Sequence, residues 1–97
     1  MADYWLTFRI DDAGHPERYD ALIEAVNASG SGFWEGPTSF IAMRSALSID
    51  ALGSKLKAAI DVLDDLILIR EIGVDNTRYA GVPGDGFDSF FPKAKRL

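Results

Sequence analysis

The run Leu66–Ile72, LILIREI, constrains this chain more than any other. A strand with one buried face alternates apolar and polar residues along its length. Here the first four residues are all apolar and polarity enters only at Arg70 and Glu71, so both faces of the strand need cover. A chain of 97 residues reads as one domain, with enough length to lay two helices over one face of a small sheet. The opposite face then falls to something else, and a second copy of the chain is the simplest cover.

Earlier segments fit the same plan. Tyr4–Ile10 reads as a strand with Leu6, Phe8 and Ile10 on one face and Trp5, Thr7 and Arg9 on the other. The first set is core. The second mixes a large aromatic with a charge, as a face that meets a partner would. After a turn at Asp11–Gly14, Pro16 suits the first turn of a helix and Glu17 and Asp20 its positive end. Tyr19, Leu22, Ile23 and Val26 recur at helical spacing, and Ser29-Gly30-Ser31-Gly32 stops that helix near Ala28. Phe33–Glu35 and Thr38–Arg44 are short strands around Gly36-Pro37, as a hairpin or one bulged strand. Ser48 is an N-cap for a second amphipathic helix through Leu52, Leu56, Ala59, Ile60 and Leu63. Gly53 inside it points to close packing. A turn at Asp75-Asn76 leads to a weak strand at Thr77–Val82, and the tail from residue 83 to 97 ends basic. Its Phe87, Phe90 and Phe91 are expected to dock on this subunit or on its partner.

The predicted order is β-α-β-β-α-β plus a trailing strand. That is an α+β, ferredoxin-like split β-α-β sandwich over residues 1–82, with two helices on one face of an antiparallel sheet. Residues 83–97 form the tail.

Charge and composition narrow the function classes. The net charge of −5 disfavours broad binding to a nucleic-acid backbone, which needs a basic face. The absence of cysteine removes disulfides, thiolate nucleophiles and cysteine metal sites. The start MADYWLTFRIDD has no basic n-region or apolar h-region, and no run reaches bilayer length. The expectation is a soluble, cytoplasmic protein without membrane contact.

In the predicted topology the first and last core strands are antiparallel neighbours. This brings Asp11 and Asp12 towards Asp64 and Asp65 at one end of the sheet. Carboxylates converging there would suit Mg²⁺ or Mn²⁺, which favour oxygen ligands; otherwise they are turn residues bonded to their own backbone. Arg9, beside Trp5, either crosses a dimer interface as a salt bridge or aromatic stack, or reaches water along its stem. His15 is the lone histidine, a general base if Asp12 supports it and a loop or capping residue otherwise. No serine sits in a nucleophile elbow, and Gly84-Asp85-Gly86 lacks the lysine of a phosphate loop. Trp5 and Trp34 lack the interleaved cations of a base-stacking platform and read as core or interface.

Short segments carry a resemblance. Tyr4-Trp5-Leu6-Thr7-Phe8, Thr38-Ser39-Phe40-Ile41 and the helix through Leu56 and Ile60 into Asp64-Asp65-Leu66-Ile67-Leu68-Ile69 resemble the small CRISPR-associated protein two family and its virulence-associated protein D relatives. The resemblance implies a ferredoxin-like homodimer with two sheets packed together. It also implies either metal-dependent cleavage of RNA or DNA by an aspartate near the end of strand one, or a scaffold role. In that alignment Arg9 stands where the aspartate belongs, and a cation repels Mg²⁺. Asp11, two residues on, keeps the same face and is the substitute.

The expectation is therefore a homodimeric binding or assembly module without nuclease activity and without a cofactor. Trp5, Thr7, Arg9, Phe87, Phe90 and Phe91 are its interface residues. The alternatives are a Mg²⁺- or Mn²⁺-dependent endonuclease using Asp11, supported by Asp12, Asp64 and Asp65, and a small-ligand sensor lined by Trp5 and Arg9 at a dimer interface.

Overall fold

The computed structural model describes residues 1–11, 16–73 and 76–97, so Asp12, His15 and Asp75 lie outside the described residues. The elements run β1 (Ala2–Arg9), α1 (Pro16–Ser29), β2 (Ser31–Trp34), β3 (Phe40–Ser45), α2 (Ile49–Lys57), β4 (Leu66–Glu71), β5 (Arg78–Tyr79), α3 (Phe87–Phe90) and β6 (Lys95–Arg96). Strands β2-β3-β1-β4 form one antiparallel sheet in that order, and β5 and β6 pair separately. This is an α+β architecture compatible with a ferredoxin-like sandwich. It departs from the plain β-α-β-β-α-β order by the appended β5-α3-β6.

The strand registers sort the side chains. Leu6 stands between Ile41 and Ile69, so the inner face collects Tyr4, Leu6 and Phe8 from β1 with Ile41 and Met43 from β3. Leu22 and Val26 of α1 and Leu52 and Leu56 of α2 pack on that face, fully or nearly fully buried. Each such leucine contributes roughly 1.5–3 kcal/mol of transfer free energy. Two polar ties fix the layer. The Tyr4 hydroxyl donates to the Leu47 carbonyl at 2.8 Å, and the buried Ser45 hydroxyl donates to the Ser29 carbonyl at 2.6 Å, joining α1 to β3. At Gly30 the chain leaves α1 so close to β3 that a Cβ would sit 2.3 Å from the Arg44 carbonyl oxygen. Only glycine fits there.

Helix α2 starts as the sequence predicts. Ser48 accepts the Ala51 N–H at 3.2 Å, Asp50 lies in the first turn, and Lys55 and Lys57 face the negative end. It stops six residues before Leu63, at Lys57, which corrects the predicted extent. Ala59 and Ile60 bond three residues back, to Leu56 and Lys57, and the Asp61 N–H goes to the Asp65 carboxylate at 2.9 Å. A side-chain acceptor has taken a donor that the helix ladder would have used. Leu63 is consequently 90% exposed rather than core. Gly53 is no packing glycine either, since a Cβ there would meet nothing within 4 Å.

The outer face carries the largest revision. Its half over β2 and β3 is covered by the chain's own tail rather than by another subunit. Phe87, Phe90 and Phe91 are buried over Ala42, with Trp34, Phe40, Ile72 and Tyr79 packed around them. The Trp34 indole donates to the Pro83 carbonyl at 2.8 Å, and the Arg44 guanidinium, paired with Asp3 at 2.7 Å, lies 5.7 Å from the centre of the Phe90 ring. The predicted strand at Thr77–Val82 shrinks to Arg78–Tyr79. It pairs in parallel with Lys95–Arg96, and flanking bonds run from Lys95 to Thr77 and from Leu97 to Tyr79. The Arg96 guanidinium covers the Tyr79 ring at 4.8 Å.

Because the tail is part of the core, truncating it should act like a core mutation. Phe87→Ala is expected to cost about 3–5 kcal/mol in denaturant unfolding, and the exposed Val82→Ala within about 0.5 kcal/mol. Equal, small effects of the two substitutions would show that the tail does not stabilise the sheet.

Candidate functional site

The antiparallel pairing of β1 with β4 places Arg9 opposite Leu66 and does bring Asp11 to Asp65. The meeting is not between carboxylates. Asp11 offers its backbone N–H, which the Asp65 Oδ1 accepts at 2.8 Å, while Oδ2 accepts the Asp61 N–H at 2.9 Å. Arg18 of α1 completes the arrangement. Its Nε lies 3.1 Å from Oδ2 as an ion pair without hydrogen-bond alignment, and its Nη2 donates to the Asp11 carbonyl and, at 3.4 Å, to Oδ1. The Asp65 side chain is fully shielded from solvent and that of Arg18 is 17% exposed.

This carboxylate is a structural junction of β1, α1 and the segment entering β4. Burial by itself pushes the Asp65 carboxyl up. The N–H donors of Asp61 and Asp11, then the charge and hydrogen bond of Arg18, outweigh burial and hold it below the ordinary aspartate value. An oxygen pair so fully engaged has little left for a cation. Asp64 is exposed, and Asp61 divides its carboxylate between its own loop, where Oδ1 accepts the Leu63 N–H at 3.0 Å, and Arg18, whose Nη1 lies 3.9 Å from Oδ2. Among the described residues, no three carboxylate or imidazole groups converge on a point that could hold a metal ion. Sequence reasoning missed Arg18, which lies 47 residues from Asp65, and Asp61. The four-residue spacing of Asp61 and Asp65 was the available signal.

The interface candidates separate into groups. Phe87, Phe90 and Phe91 are consumed inside the chain. Trp5 is half-buried and stacked on Phe40 with ring centres 5.8 Å apart. The Thr7 hydroxyl donates to the Ser39 carbonyl at 2.9 Å. Arg9 is exposed at the end of β1, on the same strand face as Trp5 and four residues beyond it. Beside them, Leu66 and Leu68 of β4 are 52% and 55% exposed on the outer face, and β4 is a free edge of the sheet. No described helix is long and apolar enough to cross a membrane.

The Asp65 junction carries a pH dependence of known sign. A carboxyl held below its unfolded value stabilises the fold fully above about pH 4, and that contribution is lost as pH falls through the folded value. Asp65→Asn is expected to lower the melting temperature at neutral pH and to flatten the fall in stability below about pH 4. An unchanged acid profile in thermal melts across that range would remove Asp65 from this role.

No family model matches the chain, and no curated protein matches it. Among solved structures it is similar to a hypothetical protein, TT1823, from Thermus thermophilus, with a TM-score of 0.55 at 16% identity over 75% of this chain and 83% of that one. At that identity the likeness shows the fold, a small α+β domain.

Proposed function

We propose that the chain works as a homodimeric binding or assembly module on a ferredoxin-like subunit, related to the CRISPR-associated protein two type but without nuclease activity. The observation that carries this reading is the uncovered half of the outer sheet face. The tail lies over β2 and β3, while Leu66 and Leu68 stand about half-exposed on a strand that, among the described residues, is the edge of the sheet. Exposed apolar edges are templates for association. A two-fold axis beside Leu68 would set this residue against its own copy and Ile67 against Ile69, an apolar and self-complementary pairing. The position of Asp65, engaged by backbone donors and Arg18, favours this reading over metal-dependent cleavage.

Sedimentation of the purified chain should give a dimer, and Leu68→Arg should weaken it at least tenfold while leaving the monomer folded, since this side chain is half-exposed. A monomer at all concentrations would overturn the proposal. Titration with Mg²⁺ or Mn²⁺ is expected to leave the melting temperature unchanged and labelled RNA and DNA uncut. Cleavage that Asp11→Ala abolishes would restore the endonuclease reading instead.

A further inference from the structure

Where the tail comes down on the sheet it leaves a cavity of about 330 Å³. Trp5 and Phe40, stacked at 5.8 Å, form its sheet side, and Tyr79, Phe87 and Phe91 its tail side, with Trp34 between them at 5.0 Å from Phe87 and 5.9 Å from Phe40. Pro37, Thr77 and Arg78 complete a lining that is otherwise aromatic. Faces and edges of rings offer a flat guest the offset and tilted contacts that aromatic pairs prefer. The volume is at the small end of the range of ligand sites, roughly 300–1,000 Å³, and suits one or two fused rings rather than a chain segment.

The polar inventory of the lining sets the rest of the guest. The Trp34 N–H is already committed to the Pro83 carbonyl. Arg78 is the one charged lining residue, it is exposed, and its Nη1 donates to the Thr77 carbonyl at 3.0 Å. Among the described residues no carboxylate pairs with it, and it stands exposed beside the apolar walls. A ring buried inward with an anionic group outward satisfies both parts, because a planar carboxylate matches the guanidinium fork. In a chain with net charge −5, a local cation beside aromatic walls is the selective feature, since the overall field opposes anions.

We propose that this cavity binds a small planar aromatic carboxylate, its ring among Trp5, Trp34, Phe40 and Phe87 and its carboxylate on Arg78. All of the described lining comes from one chain.

The test titrates 4-nitrobenzoate into the full chain, following the indole N–H signals of Trp5 and Trp34 by NMR. Nitrobenzene and cyclohexanecarboxylate serve as comparisons. Saturable shifts of both indoles are expected with 4-nitrobenzoate, and much weaker binding of the non-planar acid. Arg78→Gln, at an exposed position, should leave the melting temperature unchanged. It should weaken 4-nitrobenzoate roughly fivefold, the upper end for a solvent-exposed ion pair, without altering the response to nitrobenzene. The proposal fails if the acid produces no saturation up to its solubility limit, if cyclohexanecarboxylate binds as well, or if Arg78→Gln leaves the affinity for the acid unchanged.

Discussion

Ala42 has a methyl group where its neighbours in β3 have long side chains, and the outer half of the molecule depends on that. With so little standing above the strand, Phe87, Phe90 and Phe91 reach down to the sheet and leave Ala42 with no exposed surface. A larger residue would lift the tail and with it the Trp34–Phe87 and Trp34–Phe91 contacts. The appended β5-α3-β6 unit has few regular hydrogen bonds of its own. Its place is secured by rings seated on a strand, by the Trp34 bond to Pro83 and by the cations of Arg44 and Arg96 over Phe90 and Tyr79.

A different device serves the other end of the sheet. There the chain brings a charge into the interior and surrounds it with donors, which is the condition for keeping a carboxylate ionised away from water. Asp65 thereby sets where α2 ends, how β4 begins and how α1 lies against β1. Shape complementarity locates the tail, and a saturated anion locates the helices. The uncovered strip of β4, with Leu66 and Leu68, belongs to neither of these two fixed regions.

The inner layer was legible in the sequence because it is written in local periodicities. The alternation of Leu6 and Phe8, the pairing of Ile41 with Met43, and the helical spacing of Leu22 with Val26 and of Leu52 with Leu56 each lie within a few residues. The end of α2 was not legible, since Leu63 continues the apolar period and only the competition of Asp65 for the Asp61 N–H overrides it. The apolar run of LILIREI implied cover on both of its faces, but the outer face of β4 stays open, with Leu66 and Leu68 half-exposed, and the cover falls instead on β2 and β3. Docking Phe87 on Ala42, like pairing Arg78 with Lys95, joins segments whose local patterns carry no trace of each other. Of the acidic residues expected at the sheet end, Asp11 does meet Asp65, but through its backbone N–H, while Asp64 stays exposed and Asp12 lies outside the described residues. That Asp65 would be buried with an arginine from α1 depends on how helix and strand pack, and no spacing rule encodes it.

The order of the chain gives the aromatic tail a further consequence during synthesis. Strands β1 to β4 emerge from the ribosome before Phe87 does, and domains begin to fold as they emerge. Until the tail arrives, Trp5, Trp34 and Phe40 lie on a bare sheet face beside the already uncovered leucines of β4. Any sheet formed in that interval would present these rings and Leu66 and Leu68 together as one apolar surface, which the arrival of Phe87, Phe90 and Phe91 reduces to the β4 strip.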